Sequence, residues 1–394
     1  MRQELAEHKI ISSLMRPFFN KGKTSSFTIP GAMSDNSRIL CIDCGDLSEF
    51  LFHMPLLTAI RRRYPGSKMD FLVPEKHAAL ILPSGLARQC MIYKEGQMNP
   101  WRPAFGTLLR KLGTGQYDVA LVMAHTPQPR LELAALASGA ALRYGPSHKD
   151  SWPGINFEMR TSAGDDSYLG DRLKMTVPFL GFEPEDLHSR WPLPMDKVRQ
   201  MAQQVHFHKP NPDQMLIGID PGTSKTGHSF ALDNIQFLVR QLSSQLVCKI
   251  LPLGFPDDPR LIKLETQLSD VPVGLARDTL LEMVLLLAQC DLFVAGNTDF
   301  FHFSVALGVP TIGLFAKNDG PTWVPRDRKR ARVLRVTKGE KVDIETLMEA
   351  VEAVTEGRTS TASTVISGSG RTHPVKDEAT VATPPSSTDQ SRHD

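Results

Sequence analysis

Short apolar runs alternate along this chain with longer amphipathic stretches. In the first half the runs are Arg38 to Cys44, Met69 to Val73, Tyr117 to Met123 and Leu142 to Gly145. In the second half they are Gln214 to Asp220, Val247 to Leu253, Leu292 to Ala295 and Thr311 to Phe315. Most read as continuous apolar segments, the pattern of strands covered on both faces. Glu49 to Arg62, Leu131 to Leu136, Asp171 to Gly181, Asp233 to Ser244 and Thr279 to Gln289 predict helices between them. Lys341 to Thr355 predicts a last helix, with Ile344, Leu347, Met348 and Val351 on one face. Pro55 inside its helix pattern predicts a kink or a late start. Strand and helix in alternation predict an α/β fold with parallel sheets.

The length of 394 residues is enough for two such units, each with its own core. Two prolines in Ser189 to Asp196 mark the linker between them. The expected division is an extension over 1–35, a first Rossmann-like domain over 36–190, a second over 197–356 and a tail over 357–394. The tail has no Phe, Trp or Tyr and 14 Ser or Thr among 38 positions, so it is expected to be disordered. In the extension, Ile11, Leu14, Met15 and Phe18 recur at helical spacing among Lys9, Arg16, Lys21 and Lys23. Two readings stand there: a basic segment touching an anionic membrane surface, or an extension packed on the body.

Net charge is +2, so no bulk field favours nucleic acid. No apolar run reaches spanning length; the longest, near Leu280 to Leu287, contains Glu282. Cys41 and Cys44 form a C-x-x-C, but without a turn or a second pair they are read as reduced structural thiols, not metal ligands.

The chemistry concentrates in Asp291 to Phe315. A strand, the turn Gly296-Asn297-Thr298-Asp299, a short helix closed by Gly308, and a second strand follow one another. Ligands of parallel sheets sit beyond the strand carboxyl ends, where helix N–H groups favour phosphates. Asn297, Thr298 and Asp299 therefore lie where a phosphate-bearing ligand would dock.

This run resembles the C-terminal signature of glycosyltransferase family 9, the ADP-heptose–lipopolysaccharide heptosyltransferases, roughly D-T-G-x-x-H-x-A-x-A-L-G-x-P. Thr298, His302, Ala306-Leu307-Gly308 and Pro310 match in register; Asn297 stands for the family's Asp and Asp299 for its Gly. Arg38 to Val73 resembles the N-terminal signature, with the register fixed by Pro55-Leu56-Leu57 and Tyr64-Pro65-Gly66. Gly45 matches the first Gly of the G-x-x-G-D loop, Ser48 replaces the second, and Glu49 replaces the Asp.

The resemblance implies two Rossmann-like domains facing across a cleft, the GT-B type. It implies an inverting transferase that uses neither metal nor cofactor. The donor is a nucleotide-sugar, ADP-linked, and the acceptor a lipopolysaccharide-like or other glycan, at the cytoplasmic face of the inner membrane. Carried over by position, the base is Glu49, with Asp46 as the fallback. The expected donor contacts are Thr223, Lys225 and His228 in the Gly/Ser/Thr loop, Asp257, Asn297, Thr298, Asp299 and His302. Residues 222 to 229 also fit a P-loop except that His228 replaces its Lys, so a nucleoside triphosphatase is not expected. The substituted polar positions Glu49, Asn297 and Asp299 keep a second reading open: a non-catalytic member binding a nucleotide, a glycan or a protein.

Overall fold

The computed structural model describes residues 30–147, 154–159, 167–183, 191–208, 211, 213–268, 277–325, 329–337 and 341–355. The C-terminal tail and nearly all of the N-terminal extension lie outside the described residues.

The first half runs β1 (Arg38–Asp43), α1 (Leu47–Phe52), α2 (Met54–Arg63), β2 (Lys68–Pro74), α3 (Glu75–Ile81), β3 (Gln89–Tyr93), α4 (Pro103–Gly113), β4 (Val119–Met123), α5 (Pro129–Ala137), β5 (Leu142–Pro146), β6 (Phe157–Met159) and α6 (Leu169–Thr176). Its sheet is parallel, in the order β3-β2-β1-β4-β5-β6. Helix α7 (Met195–His208) leads into β7 (Met215–Asp220), α8 (Leu232–Gln245), β8 (Cys248–Pro252), α9 (Pro259–Gln267), α10 (Leu280–Leu287), β9 (Leu292–Ala295), α11 (Asp299–Leu307), β10 (Thr311–Ala316), β11 (Ala331–Val336) and α12 (Ile344–Thr355). The second sheet is also parallel, in the order β11-β10-β9-β7-β8.

Both sheets are buried on both faces, which is why their strands read as unbroken apolar runs. Ile39 and Cys41 pack to one side of β1, Leu40 and Ile42 to the other. The Pro55 helix is two helices: α1 stops at Phe52, His53 turns the chain, and Pro55 sits in the first turn of α2, where its missing N–H costs nothing.

One apolar cluster belongs to both domains. It joins Phe50 and Phe52 of α1, Tyr168 and Leu169 at the start of α6, Trp191, and Phe300, Phe301 and Phe303 of α11. Phe50 lies 5.5 Å from Trp191, which lies 5.6 Å from Phe303. This seam brings the amino end of α1 against the amino end of α11. Each end sits at the place where its sheet order reverses, between β1 and β4 and between β7 and β9. Open α/β sheets bind ligands at those two places.

Candidate active site

Two turns build the site. After β1, Gly45 takes a left-handed φ of 87° and Asp46 caps α1, accepting the Glu49 N–H at 3.1 Å. After β9, Thr298 caps α11 by accepting the Phe301 N–H, and Gly308 ends that helix in the left-handed region at φ 77°. The Pro221 to Ser229 loop after β7 lies between them. Its Lys225 N–H donates to the Asn297 carbonyl at 2.8 Å, which fixes the lysine over the α11 turn.

Lys225 is the charge at the centre. Its Nζ lies 2.8 Å from each Asp46 oxygen and also donates to Asp299 Oδ1. Burial opposes the ammonium, but the two carboxylates outweigh it and hold its pKa above the ordinary value. Burial likewise opposes the Asp299 charge, and Lys225 and Ser48 overcome it, so that carboxyl stays below its ordinary value. The Ser48 N–H (3.0 Å) and hydroxyl (2.7 Å) both donate to Asp299 Oδ1.

Glu49 turns the other way, toward the end of β4. Its Oε2 accepts the His125 N–H at 2.9 Å, and His125 Nδ1 lies 2.9 Å from Oε1 without the alignment of a hydrogen bond. Burial raises the Glu49 pKa, but the contacts with His125 more than offset it, so the carboxyl lies below its ordinary value. It is Asp46 and Ser48, not Glu49, that touch the groups of the second domain here.

A second network lies behind the ion cluster. Thr226 donates to Asp319 Oδ1 at 2.6 Å, and Asn297 Nδ2 donates to the same oxygen at 3.1 Å. That sets the Asn297 amide, so its oxygen faces His302 Nε2 at 3.0 Å and accepts from it. His302 Nδ1 is then the acceptor for the Tyr168 hydroxyl, 3.0 Å away across the domain seam. Burial, followed by the Lys225 charge, pushes the imidazole down to about 3, so it stays neutral. Asn297 and His302 are thus satisfied within the protein and fully buried. Replacing Tyr168 with Phe should cost about 1–3 kcal/mol of stability in urea unfolding, because a buried ring nitrogen loses its donor.

Thr298 donates to Asp220 Oδ2 at 2.6 Å, and Gly222 N–H donates to Oδ1 at 2.7 Å. Burial nevertheless raises the Asp220 pKa to about 6. Its protonated form is therefore the one the fold favours. The stability this confers is complete below the ordinary value of 3.8 and is lost as pH rises through about 6. In denaturant titrations, the wild type should lose about 2–3 kcal/mol over that window relative to Asp220→Asn.

The remaining expected contacts are not members of the ion cluster. Thr223 is exposed. His228 stacks edge-on against Phe230 at 5.1 Å, and its covered Nε2 has no hydrogen-bond partner. Asp257 is an exposed carboxylate just before the Asp258 cap of α9. Among the described residues no group of three or more His, Cys, Asp or Glu could hold a metal ion. No described helix is long and apolar enough to cross a membrane.

The sequence reading passed over Trp323, Asp319, Asp220 and Tyr168. Trp323 stands centrally: its ring lies 5.4 Å from His302, 6.2 Å from Phe52 and 6.4 Å from His125, with Lys225 Nζ 5.9 Å above it. Asp319 and Trp323 belong to the Asn-Asp-Gly-Pro-Thr-Trp turn after β10. The position of that turn, at a strand carboxyl end, was the available signal.

Known proteins share this fold. The sequence model described as Glycosyltransferase family 9 (heptosyltransferase) matches residues 105–351. A Haemophilus influenzae protein provisionally described as a glycosyltransferase is 23% identical over 297 residues, 71% of this chain and 82% of that protein. A family 9 glycosyl transferase from Veillonella parvula superposes with a TM-score of 0.66 at 16% identity, covering 82% of this chain and 99% of its own. The Escherichia coli ADP-heptose lps heptosyltransferase II gives 0.58 at 18% identity over 81% of this chain and 98% of its own. The Escherichia coli heptosyltransferase WaaC with ADP-2-deoxy-2-fluoro heptose gives 0.58 at 16% identity, over 80% and 99%. The structural likenesses show the fold: two parallel-sheet Rossmann-like domains of the GT-B type. With the match spanning most of the chain, the protein belongs to glycosyltransferase family 9, the heptosyltransferase family.

Proposed function

We propose that this protein transfers heptose or a related sugar from an ADP-linked donor to a lipopolysaccharide-like or other glycan acceptor, with inversion at the anomeric carbon. The observation that carries the reading is Lys225. It is a partly buried ammonium held over the amino end of α11, at the switch points of two facing sheets. Departure of a nucleoside diphosphate needs a cation and free N–H groups at that place. The names of the Escherichia coli relatives, an ADP-heptose enzyme and one solved with an ADP-heptose analogue, support the choice of ADP.

In the proposed step an acceptor hydroxyl oxygen attacks the anomeric carbon. The bond from that carbon to the diphosphate breaks, and the electron pair leaves on the diphosphate, which Lys225 and the α11 N–H groups stabilise. The hydroxyl proton passes to Glu49, oriented by His125. Asp46 shares the turn and is the other carboxylate within reach of this place, but in the resting state its charge is spent on Lys225. The acceptor side faces the first domain, and contact with the inner membrane surface would present a lipid-linked glycan there.

The test is ADP release and product mass with ADP-heptose and a lipopolysaccharide core acceptor. Transfer in the wild type that disappears in Lys225→Ala supports the reading. Absence of transfer with intact ADP binding favours a non-catalytic GT-B protein, the reading that the Asp299 carboxylate beside the phosphate position supports.

A further inference from the structure

Two of the positions at which this chain departs from the family signatures touch each other. Ser48 stands where the N-terminal signature has a Gly, and Asp299 where the C-terminal signature has one. They are 251 residues apart, on different domains, and both the N–H and the hydroxyl of Ser48 donate to one Asp299 oxygen. With Gly at 299 neither bond exists; with Gly at 48 only the backbone bond remains. Two substitutions that look like independent losses in the sequence are one contact in the structure.

The donors around that oxygen form a recognisable set. They are a backbone N–H in the first turn of α1, a hydroxyl and the Lys225 ammonium. A phosphate oxygen takes the same set. Here the anion in it is the chain's own carboxylate. The side chains of Lys225 and Asp299 are each 15% exposed, so the contact is shielded from solvent screening. Asp46, Lys225 and Asp299 together carry one net negative charge. A diphosphate arriving beside them meets a like charge and a lysine already engaged on both sides.

We propose that Asp299 is the resident ligand of the donor-phosphate site. Ser48, Lys225 and Asp299 latch the two domains together, and a nucleoside diphosphate binds by displacing the Asp299 carboxylate from Ser48 and Lys225. This rests on the donor-site reading given above. Removing Asp299 leaves Lys225 paired with Asp46, so no buried charge is stranded. Position 299 is the first residue of α11, and the Thr298 cap that starts the helix is untouched by the substitution.

The experiment is calorimetric titration of the full chain with ADP for the wild type, Asp299→Gly, Asp299→Asn, Ser48→Gly and the Ser48→Gly/Asp299→Gly pair. The radius of gyration of each is measured by small-angle scattering without ligand. Affinity for ADP should rise about tenfold or more in both Asp299 variants, the response to removing a like charge from a partly desolvated site. Ser48→Gly should add nothing once Asp299 is gone, and the radius should grow in Asp299→Gly as the cleft loosens. Equal, measurable ADP affinity in the wild type and both Asp299 variants overturns the proposal and leaves the donor site standing. Additive effects of the two Gly substitutions also overturn it. No ADP binding by any variant, with folding intact by circular dichroism, refutes the donor-site reading itself and the displacement with it.

Discussion

Glu49→Gln should lower the turnover of sugar transfer by about a hundredfold to ten-thousandfold, the range for loss of a general base. Donor affinity should be unchanged, because Glu49 faces His125 rather than Lys225. Gln keeps the length of the side chain and an oxygen for the His125 N–H. It loses the ability to accept a proton and the second oxygen that faces His125 Nδ1, so circular dichroism of the variant is read alongside its kinetics. The pH dependence gives a second readout. In the proposed step the working form is the carboxylate, and the Glu49 pKa lies below its ordinary 4.5 because His125 outweighs burial. The acid limb of kcat/KM should therefore sit below the usual carboxylate range, with full activity retained above it. In His125→Ala the imidazole no longer opposes burial, although the backbone N–H at 125 remains, so the limb should move to higher pH. A limb that stays in place after that substitution would assign the base to another group, with Asp46 the first to examine.

Phe301→Ala should have the largest effect on stability, about 3–5 kcal/mol, as measured by urea unfolding. Phe301 is fully buried in the helix that carries the site, its ring 4.8 Å from Phe315. The strand beneath has been fitted to it: a methyl group added at Gly313 would come within 2.7 Å of the Phe301 ring. Truncation leaves a cavity that backbone on both sides keeps from collapsing, which is why the expected cost exceeds the transfer free energy of the ring alone. Folded domains have only about 5–15 kcal/mol in total, so the variant should be sharply more sensitive to urea. Activity should fall with it, since the Thr298 turn is the first turn of the same helix. A midpoint close to that of the wild type would mean that α11 repacks freely, and the rigid placement of the turn argued here would fail.

Much of this was already written in the order of residues. Continuous apolar runs gave parallel strands, because a strand covered on both faces has no polar side to declare. Thr298 and Gly308 marked the two ends of α11 through local bonds that a single helix end needs. The match of spaced motifs identified the family and, with it, two domains and a cleft. The strands and the helix ends are properties that a few neighbouring residues decide among themselves.

The pairings inside the site are of another kind. His302 reads as a ligand contact in the sequence, and the fold gives it Tyr168 and Asn297 as partners instead. Glu49 reads as a carboxylate at a helix start, and the fold turns it toward a histidine 76 residues away. Ser48 and Asp299 read as separate departures, and only the docking of two domains makes them one contact. Side-chain partners at that separation depend on strand register and on how two cores meet. Local propensity carries no record of either. The chain by itself determined that a capped turn exists at the end of an apolar strand and where it lies. Only the tertiary structure decided that Ser48 and Lys225, from elsewhere in the chain, would both donate to the Asp299 carboxylate of that turn.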